Sequence, residues 1–264
     1  MSDQQYQRLQ VSTADGIGRI VIQGSNDLNA LDLQTTQELL AVTSEFAESD
    51  DIRCIVLEGE GEAFGVGADL SLLSGDESDA SDIRALAATL HAAIEQLHYT
   101  RTPVVTAING TAAGAGFSLG ILGDIVLIKE DATLNYAYSG IGLTGDGGVT
   151  FYLPRLVGLR KAKEICLLNE PISAQEAVEL NLATESVSGE EFDSRVAEVA
   201  AKLAAGPTKA YGTTKALLTQ SSNSTLSEQL AAEADAISQA VYTDDYSEGV
   251  AAFTSGKDPE FSGQ

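Results

Sequence analysis

The stretch "PVVTAINGTAAGAGFSLGILGD" (residues 103–124) decides the fold. It opens on a run of apolar, β-branched residues, the composition of a buried strand. It then turns at an Asn-Gly pair and passes into small residues that read as a closely packed helix. A strand entering a glycine- and alanine-rich helix start lets a ligand approach the backbone closely. The free N–H groups at such a start are ready partners for an anion.

Working outward, the pattern repeats. "IGRIVIQG" (17–24) reads as a strand, and "LDLQTTQELLAVTSEFAES" (31–49) carries apolar residues at helical spacing. "IRCIVLEG" (52–59) reads as a buried strand before the loop "EGEAFGVGADLSLLSG" (60–75). "SDIRALAATLHAAIEQLHYT" (81–100) reads as a strong helix with Ser81 as its N-cap, and "IVLIKE" and "ATLNYA" follow the central stretch. Strands alternating with helices predict an α/β core with crossover helices. After Gly158 every periodic segment reads as helix, which predicts a helical layer making subunit contacts. No internal repeat and no low-complexity linker is visible.

The 264 residues suit one large domain, or one and a half, with a sizeable core. The mean hydropathy is +0.01, that of a globular chain. No apolar run approaches the roughly 20 residues of a membrane helix. The N-terminal "MSDQQYQRLQ" lacks the basic and apolar regions of a secretory signal, so a cytoplasmic protein is expected. Cys54 and Cys166 lie in apolar runs without metal-ligand spacing, and are expected to be buried, reduced thiols. Acidic residues number 39 against 15 basic, giving a net charge of -24. That field repels nucleic acid and anionic membrane. The simplest account is a surface adapted to high salt, where self-repulsion is screened within a few Å, with an acidic mesophile as the alternative.

A second small-residue loop, "AFGVGADL" (63–70), matches the first in character. Neither contains GxxxxGK[ST] or GxGxxG, so neither a phosphate loop nor a dinucleotide fingerprint is present. Either loop alone is explained as well by tight helix-on-strand packing as by function. Two together are better explained as paired donors to one developing oxyanion. The remaining chemistry rests on a lone acid among glycines, Asp146 in "IGLTGDGGVTFYLPRL" (141–156). By itself it reads as a turn or N-cap aspartate. As a catalytic acid it would be expected to be buried, and a single carboxylate suits a proton shuttle. His91 reads as structural or solvent-facing. His98 reads as a positive charge at a helix C-terminus. Tyr136 and Tyr138 are candidates for core packing or for a pocket wall. Asp69 is expected to fix its loop through backbone bonds.

Five ordered segments resemble the enoyl-CoA hydratase/isomerase (crotonase) superfamily: "NDLNAL", "AFGVGADL", "PVVTAINGTAAGAG", "GLTGDGGVTFYLPRLVG" and "DDYSEGVAAFTSGKDPEFSG". The resemblance implies an α/β fold, a spiral of ββα units over residues 1–200 with a C-terminal helical trimerisation region over 201–264. It implies a homo-oligomer, trimer or dimer of trimers, acting on an acyl-CoA thioester without metal or redox cofactor. By motif position the oxyanion donors are the N–H groups of Ala68 and Ala115. Leu28, Ala30, Gly67, Asp69, Leu70, Gly116 and Tyr138 are the implied substrate contacts, and Lys257 and Phe261 the implied contacts to the CoA nucleotide.

Hydratases of the family carry two glutamates where this chain has Ser118 and Tyr138, so ordinary hydration is disfavoured. Members with an aspartate at the position of Asp146 are dienoyl-CoA isomerases, ring-epoxide isomerases of phenylacetate breakdown and chlorobenzoyl-CoA dehalogenases. The segments look most like the phenylacetate-pathway isomerase, which implies double-bond or ring-epoxide isomerisation with Asp146 as acid/base. Three alternatives stand beside it. One is a hydratase with an atypical acid. Another is a dehalogenase- or thioesterase-like enzyme with Asp146 as nucleophile and His91 as base for water. Against it, those enzymes hold a tryptophan where Tyr138 sits. The last is a non-catalytic CoA- or RNA-binding protein, the RNA reading opposed by the charge.

Overall fold

The computed structural model describes residues 6–264. Residues 1–5, part of the segment read above for a secretory signal, lie outside the described residues. Two strands open the fold, β1 (Leu9–Ala14) and β2 (Ile17–Ile22), paired antiparallel. Asp15 and Gly16 join them with φ of 52° and 76°, the conformation of a tight hairpin turn. Helix α1 (Leu33–Glu48) follows, its first turn closed by the Asp32 carboxylate, which accepts from Thr35 N–H.

Three further ββα units succeed it. They are β3 (Cys54–Gly59), β4 (Ala63–Gly65) and α2 (Asp79–Tyr99); β5 (Val104–Ile108), β6 (Thr111–Ala113) and α3 (Ala115–Gly120); and β7 (Ile125–Lys129), β8 (Thr133–Asn135) and α4 (Val149–Leu168). Each unit places its first strand in a six-stranded sheet and its second in a four-stranded sheet. The sheets run β1-β2-β3-β5-β7-β10 and β4-β6-β8-β9, where β9 is Ile172–Ser173 and β10 is Glu185–Val187. The spiral is therefore a structural repeat that leaves no repeat in the sequence. What recurs is a pattern of burial rather than particular residues.

Strand β3 shows where the core sits. Cys54 and Val56 face one way, into a cluster with α6 (Phe192–Ala204). Ile55 and Leu57 face the other way, into the larger cluster with α1 and α2. Alternate residues go to opposite faces, and both faces are covered, so the strand reads as a continuous apolar run.

Several expectations are corrected. The second half is not all helix. Between α4 and α5 (Ala174–Glu179) lies β9, antiparallel to β8, and β10 adds to the large sheet beside β7. Strands of two and three residues are too short to show a period of two. Helix α2 begins at Asp79, not after Ser81. Helix α4 is two segments parted at Gly158, whose φ of 78° and ψ of 155° are not helical. Cys54 is buried, but Cys166 is only half-buried. His98 does lie in the last turn of α2, yet it is not poised as a charge. Burial, and after it the nearby Lys215, pushes its pKa below the ordinary value, and Nδ1 pairs with the Tyr152 hydroxyl at 2.8 Å. Desolvation there outweighs the helix dipole.

The last helices are α7 (Thr208–Ser221), α8 (Leu226–Ala240) and α9 (Asp244–Ser255). They bury little. Helix α8 has no buried residue, and Leu226, Ile237 and Phe253 are exposed. The chain end is tied back by the buried Asp245 carboxylate, which accepts from the N–H groups of Ser262 and Gly263. Among the described residues no helix is long and apolar enough to cross a membrane.

Candidate active site

The two small-residue loops meet. Residue 31 forms a parallel bridge with Ala68, in which Leu31 N–H donates to Gly67 O at 2.7 Å and Asp69 N–H donates to Leu31 O at 3.0 Å. The bridge uses the groups on either side of Ala68 and leaves the Ala68 N–H out. Gly67 has φ of 89°, and a Cβ there would stand 3.0 Å from the Ala115 nitrogen. Only glycine allows that approach. Ala115 opens α3, so its N–H has no partner within the helix. A Cβ on Gly116 would fall 1.9 Å from Gly65 O, so α3 sits on the backbone of β4.

Ala68 and Ala115 both line a cavity of about 460 Å³, together with Gly67, Asp69, Leu70, Tyr138 and Asp146. Its further walls come from α2 (Ile83, Leu86) and from the loop before α4 (Leu143). The sequence-derived candidates thus divide. Seven share this cavity. Leu28 is exposed outside it, and Ala30 is buried, its carbonyl accepting from Ser25 N–H. Gly116 is a packing position. Lys257 is exposed just beyond α9, and Phe261 packs near Gly249 of that helix, both away from the cavity lining.

Asp69 does fix its loop, through side chains as well as backbone. Its carboxylate accepts from Ser25 Oγ at 2.6 Å, Ser71 Oγ at 2.6 Å and Ser71 N–H at 3.0 Å. The Ser25 bond foremost, then that of Ser71, holds its pKa below the ordinary value. Tyr136 packs into the core 5.1 Å from the Tyr138 ring, whereas Tyr138 reaches the cavity.

Asp146 is held by its backbone. Its carbonyl accepts from Ser118 Oγ at 2.8 Å and from Tyr138 Oη at 3.1 Å, and the two hydroxyls lie 3.1 Å apart. Ser118 is fully buried, and burial pushes the Tyr138 phenol well above its ordinary pKa, so it stays a neutral donor. The Asp146 carboxyl is not sealed as expected. Its side chain is 33% exposed, and Oδ1 lies 2.6 Å from Nε2 of His91, itself 48% exposed. Among the described residues Oδ2 has no hydrogen-bond partner.

Sequence reasoning found the two loops and Asp146. It set His91 beside Asp146 only in the dehalogenase-like alternative, as base for water, and missed their direct contact, since His91 occupies an ordinary helical position 55 residues away. It also missed that Ser118 and Tyr138 grip the acid. The signal available was that two hydroxyl residues stand together where the resemblance calls for two acids.

Comparison with known proteins sets this cavity in context. The profile of the family described as "Enoyl-CoA hydratase/isomerase" matches residues 12–264. The 4-chlorobenzoyl coenzyme A dehalogenase-2 of Arthrobacter sp is 35% identical over 86% of this chain and 83% of its own length. The 1,2-epoxyphenylacetyl-CoA isomerase of Escherichia coli is 32% identical over 94% of this chain and 96% of its own. A crystal structure of enoyl-CoA hydratase from Bacillus anthracis superposes with a TM-score of 0.91 at 28% identity, covering 98% of this chain and 100% of that one.

Proposed function

The chain belongs to the enoyl-CoA hydratase/isomerase family, and from that premise we propose that it is an acyl-CoA isomerase in which Asp146 shuttles a proton across a thioester enolate. One observation carries the reading: Asp146 shares its cavity with Ala68 and Ala115, while Ser118 and Tyr138 give their hydroxyls to its carbonyl. The thioester oxygen takes the Ala68 and Ala115 N–H groups. Asp146 Oδ2 removes a proton from carbon, the electron pair moves onto that oxygen, and the same carboxyl returns a proton at another carbon. Each oxyanion donor is worth about 3 kcal/mol to such a transition state, and the acid/base about 10²–10⁴ in rate.

His91 has a positioning role in this reading. By holding Oδ1 it leaves Oδ2 as the base. Hydration needs a second acid to activate water, and Ser118 and Tyr138 supply none. The acyl group is an enoyl chain or the ring-epoxide of an aryl acid. The exposed apolar residues of α8 and α9 support a homo-oligomer, and the acidic surface supports a cytoplasm of high salt. The test is Asp146→Asn. Loss of isomerisation with acyl-CoA binding retained supports the reading, and unchanged turnover sinks it.

A second reading is favoured by the His91–Asp146 contact and by the likeness to the dehalogenase. In it Asp146 displaces a halide from an aryl carbon, and water hydrolyses the resulting ester as His91 takes the proton. Trapping a covalent adduct on Asp146 in a single turnover supports this reading, and its absence with halobenzoyl-CoA rejects it.

A further inference from the structure

The cavity is built for one end of a substrate and against another. Its apolar walls are Val66, Leu70, Leu72, Leu73, Ile83 and Leu86, with Leu143 from the loop before α4. Leu70 is 48% exposed and Leu72 64%, in a chain of net charge -24. Such a cluster at the mouth of a cavity is covered when an apolar group enters.

The charges in the wall are all of one sign. Asp69, Asp82 and Asp146 line it, and among the described residues no Lys or Arg does. Away from the Ala68 and Ala115 N–H groups, the positive feature of this wall is the N-terminus of α2, which already carries Asp79 and Asp82 in its first turn. The Asp79 carboxylate accepts from the N–H groups of Ser74 and Gly75. With the Ala68 and Ala115 N–H groups taken by the thioester oxygen, a second anion at the far wall would find apolar side chains and carboxylates.

On the reading of this cavity as an acyl-CoA site, we infer that the enzyme selects acyl groups whose far end is uncharged and apolar, and rejects those that end in a carboxylate. The physical reason is desolvation. A carboxylate taken from water into an apolar wall without a cation loses its hydration and gains no partner. A methyl group in the same place gains from burial against Leu72 and Leu86. Leu86 is the specificity-determining position, because it lines the cavity from α2 one turn from Asp82.

The experiment is calorimetric titration of the full-length chain with two non-hydrolysable CoA analogues in which a methylene replaces the thioester sulfur. One carries a saturated eight-carbon chain ending in methyl, the other a chain of equal length ending in carboxylate. Neither has a double bond, so binding is read independently of any reaction. The methyl-ended analogue is expected to bind at least 100-fold more tightly. Leu86→Lys, and Ile83→Lys as a second variant with folding checked by circular dichroism, are expected to narrow that ratio at least tenfold. Equal affinity within threefold, or tighter binding of the carboxylate, overturns the inference and leaves the acyl-CoA reading standing. Failure of both analogues to bind overturns that reading and the inference together.

Discussion

Replacing Tyr138 by Phe and Ser118 by Ala, singly and together, probes the grip on Asp146. Each hydroxyl donates to the Asp146 carbonyl, at 3.1 Å and 2.8 Å. A neutral hydrogen bond contributes about 1 kcal/mol net, and either single variant leaves the carbonyl its other donor. Each single variant is therefore expected to lose about 1 kcal/mol of stability. The double variant leaves the part-buried carbonyl only the longer bond from Val149 N–H, at 3.3 Å, which costs up to about 1 kcal/mol more than the two losses added. The same loosening lets the carboxyl drift from its place beside the substrate carbon. A cost of about 1 kcal/mol in reaching the productive geometry lowers kcat roughly fivefold per single variant, with little change in KM. Urea unfolding in molar KCl gives the stabilities. The rise in absorbance as a 3-enoyl-CoA becomes conjugated gives the rates. Additive stabilities with unchanged kcat would refute the idea that these hydroxyls hold the acid.

Three further outcomes are expected. His91→Gln keeps an N–H within reach of Asp146 Oδ1 and should retain far more activity than His91→Leu; equal losses in both variants would show that the contact does not position the acid. The His98 pKa is pushed below its ordinary value by burial first, so the fold favours the neutral ring. Its contribution to stability is then present above about pH 6.5 and lost as pH falls through the lower folded value. Urea midpoints should accordingly fall less between pH 7.5 and 5.5 in His98→Gln than in the unmodified protein, and parallel slopes would contradict this. With 39 acids against 15 bases, Tm should climb steeply between 0.1 and 2 M KCl. Light scattering over the same range should report a mass several times that of the 27.5 kDa chain. A flat Tm or a monomeric mass at 2 M would count against a salt-adapted oligomer.

What the sequence made legible follows from chain-local physics. The apolar run 104–108 and the small residues after it declare strand and helix start, because burial on both faces and close approach each restrict residue type. Two loops of that kind, with Asp146, were readable as a site. The direct contact of Asp146 with His91, joined from the sequence only in the dehalogenase-like alternative, was not, since it depends on how α2 lies against the loop before α4. The short strands β4, β6, β9 and β10 also escaped, because two or three residues carry no period. His98 was placed on the right turn of the right helix and given the wrong charge state. Helix position is local, whereas burial beside Lys215 is tertiary.

The central claim is that one carboxylate carries the chemistry. Asp146→Asn keeps the size of the side chain and a polar atom facing His91, and removes only the base. The most direct measurement is kcat for 3-enoyl-CoA isomerisation by this variant, alongside its affinity for a saturated acyl-CoA. The expected result is a fall of about 10²–10⁴ in kcat with affinity unchanged within a few-fold. Turnover at the unmodified rate would contradict it.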